Sequence, residues 1–410
     1  MRIEPYIVLF FVISFGVGSV VSFVQFRILQ SEELLGGVFF TQSITENEVI
    51  AKYQGLPSTP RKKVRILIVP GHDDSVWGTE FRGLREADIN LALAKELENY
   101  FAHDPHFEAI LARSDAEYIP ELAASFAEEE KILSFREDHE EAMSRLVSER
   151  LIHAQENIMF HNNATSEVVV KLYGINKWAN ENDVDVVLHV HFNDHPDRNR
   201  RHEHPGRYNG FAIYIPEKQY SNALVSRKIA EKIFAELGTF FPVSNHLQEQ
   251  AGVVEDQELI ALGAFNTLDA ASILIEYDYI YEAHLRDEPL RSLALREYAF
   301  QTYKGVKTYF ENGNIISLDR TATLPHVWKS NLKKSRTPRD DVFALQLALT
   351  LLGVFPPDGL EKNDCPPSGV FGTCTEKGVI ALQKKYGITP SSGYVGEITR
   401  GHLLEKNSLF

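Results

Sequence analysis

Continuous apolar runs separated by helical stretches constrain this chain more than any other feature. VRILIV begins at residue 64, VVLHVHF at 186, FAIYIP at 211 and ASILI at 271. A shorter run, FEAIL, begins at 107. A strand that is apolar at successive positions must be covered on both faces, because its side chains point alternately to either side. Between the runs lie stretches with helical spacing. Residues 86–101 carry Ile89, Leu93 and Leu97 on one face, and 221–237 and 286–311 read as further helices. Strands alternating with helices predict an α/β fold, a mostly parallel twisted sheet with helices on both faces.

In such sheets the functional crevice lies beyond the carboxyl ends of the strands. Three of these ends carry side chains with acid–base or metal chemistry. The first strand stops at Pro70-Gly71-His72, the third carries His189 and His191, and the last passes into Glu276. Glu86 opens the helix after the first strand and so returns to the same edge. Two imidazoles, a carboxylate and an open fourth position describe a catalytic zinc site, and a second carboxylate beside it can act as general base. Each residue has a plain alternative. A histidine after a strand suits a turn, Glu86 suits the positive end of a helix dipole, and Glu276 suits a structural salt bridge. Their shared edge favours the joint reading. His189 and His191 point to the same face by the strand period, so either could belong to the set.

The ends of the chain differ from its middle. Residues 6–26 carry no charged side chain, close to the ~20 residues a helix needs to cross a bilayer. Segment 1–28 is therefore expected to be an N-terminal transmembrane helix that anchors the chain in a membrane, with a cleaved signal segment as the alternative. Either sends the rest of the chain to the extracytoplasmic side. A formal net charge of −15 argues against nucleic acid as a partner, since phosphate binding needs a basic surface. Residues 29–60 and 313–336 read as linkers. The tail, 337–410, repeats itself: VFALQ at 342 is echoed by VIALQ at 379, and GVFGTCT at 369 by GYVGEIT at 393. The repeat predicts a small all-α module, in which the threonine of each G-x-x-G-x-x-T caps the following helix. The two cysteines, Cys365 and Cys374, are expected to form a disulfide on an exported chain.

The segment VPGHDDSVWGTEFRGLREADINLA resembles the first motif of the zinc-dependent N-acetylmuramoyl-L-alanine amidases of the bacterial wall: a strand, P-G-H, a glycine-bearing loop, then G-x-x-E and a helix. VLHVHFN resembles their second motif, which ends in H-x-N and selects His191 over His189. ILIEYDYI resembles the third, which ends in a catalytic glutamate. The ALQ and GxFGxxT signatures of the tail resemble peptidoglycan-binding modules. The resemblance implies Zn2+ held by His72, Glu86 and His191, with Glu276 as the catalytic residue. It implies hydrolysis of the amide between N-acetylmuramic acid and L-alanine in peptidoglycan, by a zinc-activated water. It assigns residues 61–312 to the catalytic domain and 337–410 to peptidoglycan binding. This chain departs from the family pattern at Asp73, Asp74 and His189, in a helical insert at 118–170, and in the basic loop DHPDRNRRHEHPGR. The insert's length and position suggest a lid over the crevice. Two rival readings are a non-catalytic peptidoglycan-binding membrane anchor, and a zinc carboxypeptidase or deacetylase acting on the same polymer. No feature identifies a protein activator.

Overall fold

The computed structural model describes residues 44–55, 63–115, 117–155, 164–195, 198, 204–311 and 320–406. The uncharged run at 6–26, read as a transmembrane helix, lies outside the described residues. Among the described residues no helix is long and apolar enough to cross a membrane.

The apolar runs form the expected sheet. Strand β1 (Val64–Pro70) is followed by a small hairpin, β2 (Glu80–Phe81) and β3 (Leu84–Arg85). Then come β4 (Phe107–Leu111), a second small hairpin of β5 (Arg113–Ser114) and β6 (Glu117–Tyr118), β7 (Val186–Asn193), β8 (Ala212–Pro216), β9 (Val253–Asp256) and β10 (Ala271–Tyr279). The main sheet has the order β4-β1-β7-β10-β8-β9. Its first four strands are parallel. β8 runs antiparallel to β10, and β9 runs parallel to β8. The sheet is therefore mixed. β9 was not foreseen, because VVED is short and carries only two apolar residues after Gly252.

Helices α2 (Glu86–Ala102), α6 (Ala223–Phe240) and α7 (Leu290–Phe310) close one face of this sheet. Ile89, Leu93, Leu97 and Phe101 of α2 join Ile66, Ile68, Val186 and Leu188 in the largest core cluster. The opposite face is covered by α3 (Pro120–Phe126) and α5 (Ser166–Glu181), where Leu122, Ile175 and Trp178 pack on Leu67, Val69 and Val187. The insert's long helix, α4 (Glu129–Ser148), lies outside α5. Its Ala142, Met143 and Leu146 pack on Tyr220, Ala223 and Phe265. Since β8 is antiparallel, Tyr220 lies at the sheet edge opposite His191. α4 thus runs along the outer layer and toward the far edge, not across the crevice as a lid would. Its apolar side chains find their partners on that layer, and this decides its placement.

The stretch 29–60, read as a linker, contains helix α1 (Glu46–Gln54). Thr45 and Glu48 form a capping box, Gly55 ends the helix at φ 61°, and Val49 is fully buried. The signal was present in TENEV, a threonine followed three residues later by glutamate. Lys52 donates to Asp185 at 2.5 Å, so α1 sits at the edge where β7 begins, away from the crevice.

The tail forms α8 (Asp340–Leu351), α9 (Thr373–Lys385) and α10 (Glu397–Lys406). Its repeat has a hydrogen-bond explanation. Gln346 accepts from the Gly369 amide at 2.9 Å and donates to Thr375 Oγ1 at 2.9 Å. Gln383 accepts from the Gly393 amide at 2.9 Å and donates to Thr399 Oγ1 at 3.1 Å. Each ALQ glutamine therefore ties down one G-x-x-G-x-x-T turn. The threonines, expected to cap helices, serve as acceptors for these glutamines. Cys365 and Cys374 are disulfide-bonded. The module is docked on the sheet domain: Asn363 Nδ2 donates to Asn209 Oδ1 at 2.9 Å and to the Val243 carbonyl at 2.8 Å. Phe343 of α8 lies against His284, with ring centres 6.2 Å apart. The described part of 313–336 is anchored too, since Thr321 and Thr323 donate to the buried Glu297 and Trp328 is buried.

Candidate metal centre

The chain leaves β1 at Pro70 and turns at once. The Gly71 amide donates to the Val190 carbonyl at 2.9 Å, and Asn90 of α2 donates to the Gly71 carbonyl at 2.9 Å. Gly71 is required sterically. A Cβ there would stand 2.2 Å from Cε1 and 2.3 Å from Nε2 of His191. His72 follows at φ 61°, a left-handed conformation that costs a non-glycine residue roughly 1–2 kcal/mol. Asp73 holds this turn. One of its oxygens accepts from the Ser75 amide at 2.9 Å and the Val76 amide at 3.1 Å, and the other from Lys171 at 2.7 Å and Tyr118 at 3.2 Å. Burial disfavours the Asp73 carboxylate, but Lys171 and the loop donors outweigh it and hold its pKa below the usual carboxylate range. The aspartate that departs from the family pattern is thus a clamp on the loop that carries His72.

Glu86 is delivered by the β2–β3 hairpin, and residues 77–79 fold back on the start of α2. Its amide donates to the Thr79 carbonyl at 2.9 Å, and its Oε2 accepts from the Thr79 amide at 3.0 Å. Gly78, at φ 76°, allows this approach, for a Cβ there would lie 2.3 Å from Glu86 Oε2. Thr79 Oγ1 donates to Asp194 at 2.6 Å, and Asp194 accepts from Arg198 at 2.6 and 2.8 Å. That chain ties the Glu86 loop to the segment leaving β7.

His191 stands near the end of β7, in register with Glu276 on β10. The three residues assigned to the metal converge. His72 Nε2 is 3.3 Å from Glu86 Oε2, and His191 Nδ1 is 3.1 Å from Glu86 Oε1. One ligand atom from each lies within 4.8 Å of the others. The two imidazole rings meet edge to face with centres 5.3 Å apart. Among the described residues this is the one group of three or more His, Cys, Asp or Glu side chains with that geometry. Burial raises the pKa of Glu86, but hydrogen bonds from His191 and His72 prevail and hold it low. Burial pushes His191 below the usual imidazole range, while contact with Glu86 raises His72 despite its own burial. The ionised Glu86 carboxylate is thus held by the two imidazoles, and a bound cation would need both of them unprotonated.

Glu276 lies on the same edge. Its Oε2 is buried and has no hydrogen-bond partner among the described residues. Burial, then the charges on Glu86 and Glu249, push its pKa well above the carboxylate range. His189, the alternative to His191, is one pleat deeper and fully buried. Its pKa falls to about 3 through burial and the neighbouring His191. Sequence reasoning missed Glu249. This buried carboxylate accepts from Asn193 at 3.0 Å, Tyr214 at 2.8 Å and Tyr279 at 3.2 Å, and also from Ser244. The one available signal was Asn193 of the H-x-N motif, which needs an acceptor.

The family model of N-acetylmuramoyl-L-alanine amidase matches residues 66–308, more than half of the chain. The chain belongs to this amidase family. The family is zinc-dependent and hydrolyses peptidoglycan, and His72, Glu86 and His191 are the amidase's candidate metal group. A peptidoglycan binding domain model matches residues 338–403, the docked tail module. No curated protein matches the sequence.

Several solved structures resemble the amidase at low identity. The CwlD amidase from Clostridioides difficile, solved in complex with the GerS lipoprotein, is 17% identical with a TM-score of 0.39, covering 61% of this chain and 100% of that one. The catalytic domain of CwlV from Bacillus (Paenibacillus) polymyxa is 16% identical with a TM-score of 0.37, covering 61% and 99%. Ami1 from Mycobacterium smegmatis is 12% identical with a TM-score of 0.39, covering 61% and 100%.

Proposed function

We propose that the amidase cleaves the bond between the lactyl group of N-acetylmuramic acid and L-alanine with one zinc ion held by His72, Glu86 and His191, and with Glu276 moving the proton. The observation that carries this reading is the convergence of the three donors beside Glu276 on the adjacent strand, whose buried Oε2 has no hydrogen-bond partner among the described residues. The donor set fits the ion. Two imidazole nitrogens and one carboxylate oxygen leave a fourth position open, as catalytic zinc sites do. When bound, zinc supplies Lewis acidity that polarises the amide carbonyl and acidifies water.

The chain's own groups account for the rest. Glu86 and the neutral His191 provide lone pairs, and the Asp73 clamp and the Thr79 amide fix where those pairs point. Glu276, on the strand beside His191, takes a proton from the attacking water as the carboxylate and returns it to the leaving alanine nitrogen. The C–N bond breaks, and the products are a lactyl carboxylate and a stem peptide with a free amino terminus. The tail module is docked through Asn209 and Val243, beside the start of β8, where Ala212 pairs with Glu276, so peptidoglycan bound by residues 337–410 would be held on the same side of the sheet as the centre. The uncharged run at 6–26 supports an anchor or export segment that sends both domains to the wall side.

Digestion of purified sacculi by the full zinc-loaded chain tests the reading. Mass spectrometry should find free stem peptides beginning with L-alanine. Shortened stems would indicate a carboxypeptidase, loss of acetyl groups a deacetylase, and intact sacculi a non-catalytic anchor.

A further inference from the structure

Trp77 is the one exposed tryptophan of the three in the chain. It is 45% accessible, while Trp178 and Trp328 are buried. A single exposed aromatic needs no explanation by itself, but its position here does. Trp77 and Arg82 line a cavity of about 290 Å³ whose wall includes Gly78. Gly78 also stands directly against Glu86 and His72, since a Cβ on it would meet Glu86 Oε2 at 2.3 Å and His72 Cδ2 at 2.6 Å. The cavity therefore adjoins the metal centre through one residue. Its floor is rigid. The Trp77 carbonyl accepts from the Ala87 amide at 3.1 Å, and Arg198 is committed to Asp194 and to the Glu80 carbonyl at 2.9 Å.

Arg82 adds a second, independent observation. It sits at φ 51° beside Gly83 at φ 80°, the two central residues of the β2–β3 turn. Such turns favour Asn-Gly, because both positions need positive φ. An arginine held in that conformation beside the centre is strain placed at a functional edge. An accessible indole and a guanidinium lining one cavity, the latter over the Phe81 ring at 5.2 Å, suit a ligand that has an apolar face and an oxygen-rich rim. The exposed carboxylate of Glu80 lines the same cavity and can accept from hydroxyl groups. A pyranose ring has this character, with C–H groups on one face and hydroxyl and acyl oxygens around it.

We propose that Trp77 and Arg82 form the subsite for the N-acetylmuramyl ring on the acyl side of the scissile amide. This rests on the assignment of His72, Glu86 and His191 as the centre. The indole stacks on the sugar's C–H face, and the guanidinium donates to its acyl oxygens. The stem peptide then leaves on the other side of the centre.

The test uses the full zinc-loaded chain carrying Glu276→Gln, with acrylamide quenching of tryptophan emission as readout. A disaccharide-linked stem peptide should reduce quenching of the accessible fraction at least about twofold, whereas the same peptide without sugar should leave it unchanged. The effect should vanish in Trp77→Phe, which removes the reporting indole. In the otherwise unmutated enzyme, Trp77→Ala should raise KM about tenfold on the disaccharide-linked substrate, with a much smaller change in kcat, and Trp77→Phe should recover most of the loss. Equal protection by the sugar-free peptide, binding of the sugar ligand without protection, or a KM for Trp77→Ala within about twofold of the parent would overturn the subsite. Cleavage of the disaccharide-linked substrate by the unmutated chain separates the two readings. If that cleavage occurs and Trp77 is indifferent, only the subsite fails; if no cleavage occurs, both fail.

Discussion

Replacing Glu276 by Gln should leave one zinc per chain in place and reduce kcat by about 10²–10⁴-fold, the usual contribution of a positioned general acid–base group. The two effects separate because Glu276 stands beside the donor set without belonging to it. Its Oε2 has no hydrogen-bond partner among the described residues, so the substitution breaks no contact that holds the metal loop. It also removes a buried group whose charged form is disfavoured by burial and by Glu86 and Glu249. The variant should therefore fold at least as well as the parent. Metal analysis and sacculus digestion on one preparation check both halves. A variant that loses zinc together with activity would make Glu276 a ligand, and one that keeps full activity would remove it from the mechanism.

The second large effect is expected from a residue with no side chain. Gly71→Ala places a methyl 2.2 Å from the His191 ring, well inside contact distance. The ring cannot yield without losing its place beside Glu86, and Gly71 itself is pinned by the Val190 carbonyl and by Asn90. Zinc affinity should fall by about 100-fold, at the upper end of what disturbed support around a metal ligand costs. Activity in buffer without added zinc should fall with it. Competition with a chelator measures the first and wall digestion the second. Unchanged zinc affinity would mean that His191 is not held against Gly71 in the working enzyme.

These residues also mark how far the sequence is legible. The edge carrying His72, His191 and Glu276 could be read because each follows an apolar strand, and parallel strands bring their ends together. Glu86 followed because its helix starts where the first strand stops. The sequence motifs chose His191 over His189; in the structure His189 is one pleat deeper and fully buried, and His191 is the one that meets Glu86. What escaped reading depends on polar side chains that meet across long separations. Glu249 finds Tyr214 35 positions away, and Thr79 finds Asp194 115 positions away. No periodicity records such pairs. The course of the insert's long helix could not be read for a similar reason. Its length was visible, but the apolar partners Tyr220 and Phe265 that draw α4 along the outer layer lie far along the chain. β9 escaped because an edge strand of four residues has too few positions for alternation to show. The tail's repeat was visible as letters, yet the Gln–Gly and Gln–Thr bonds that explain it appear only once the turns face the helices.

The central claim is that three side chains, distant in sequence, hold one divalent ion at the carboxyl edge of the sheet. Diffraction from crystals of the zinc-loaded chain, recorded at energies just above and just below the zinc absorption edge, tests it most directly. The account predicts one anomalous peak, present above the edge and absent below it, bonded to an imidazole nitrogen of His72, a carboxylate oxygen of Glu86 and an imidazole nitrogen of His191. A zinc peak elsewhere, or one that reaches Glu276 in place of any of the three, would contradict it.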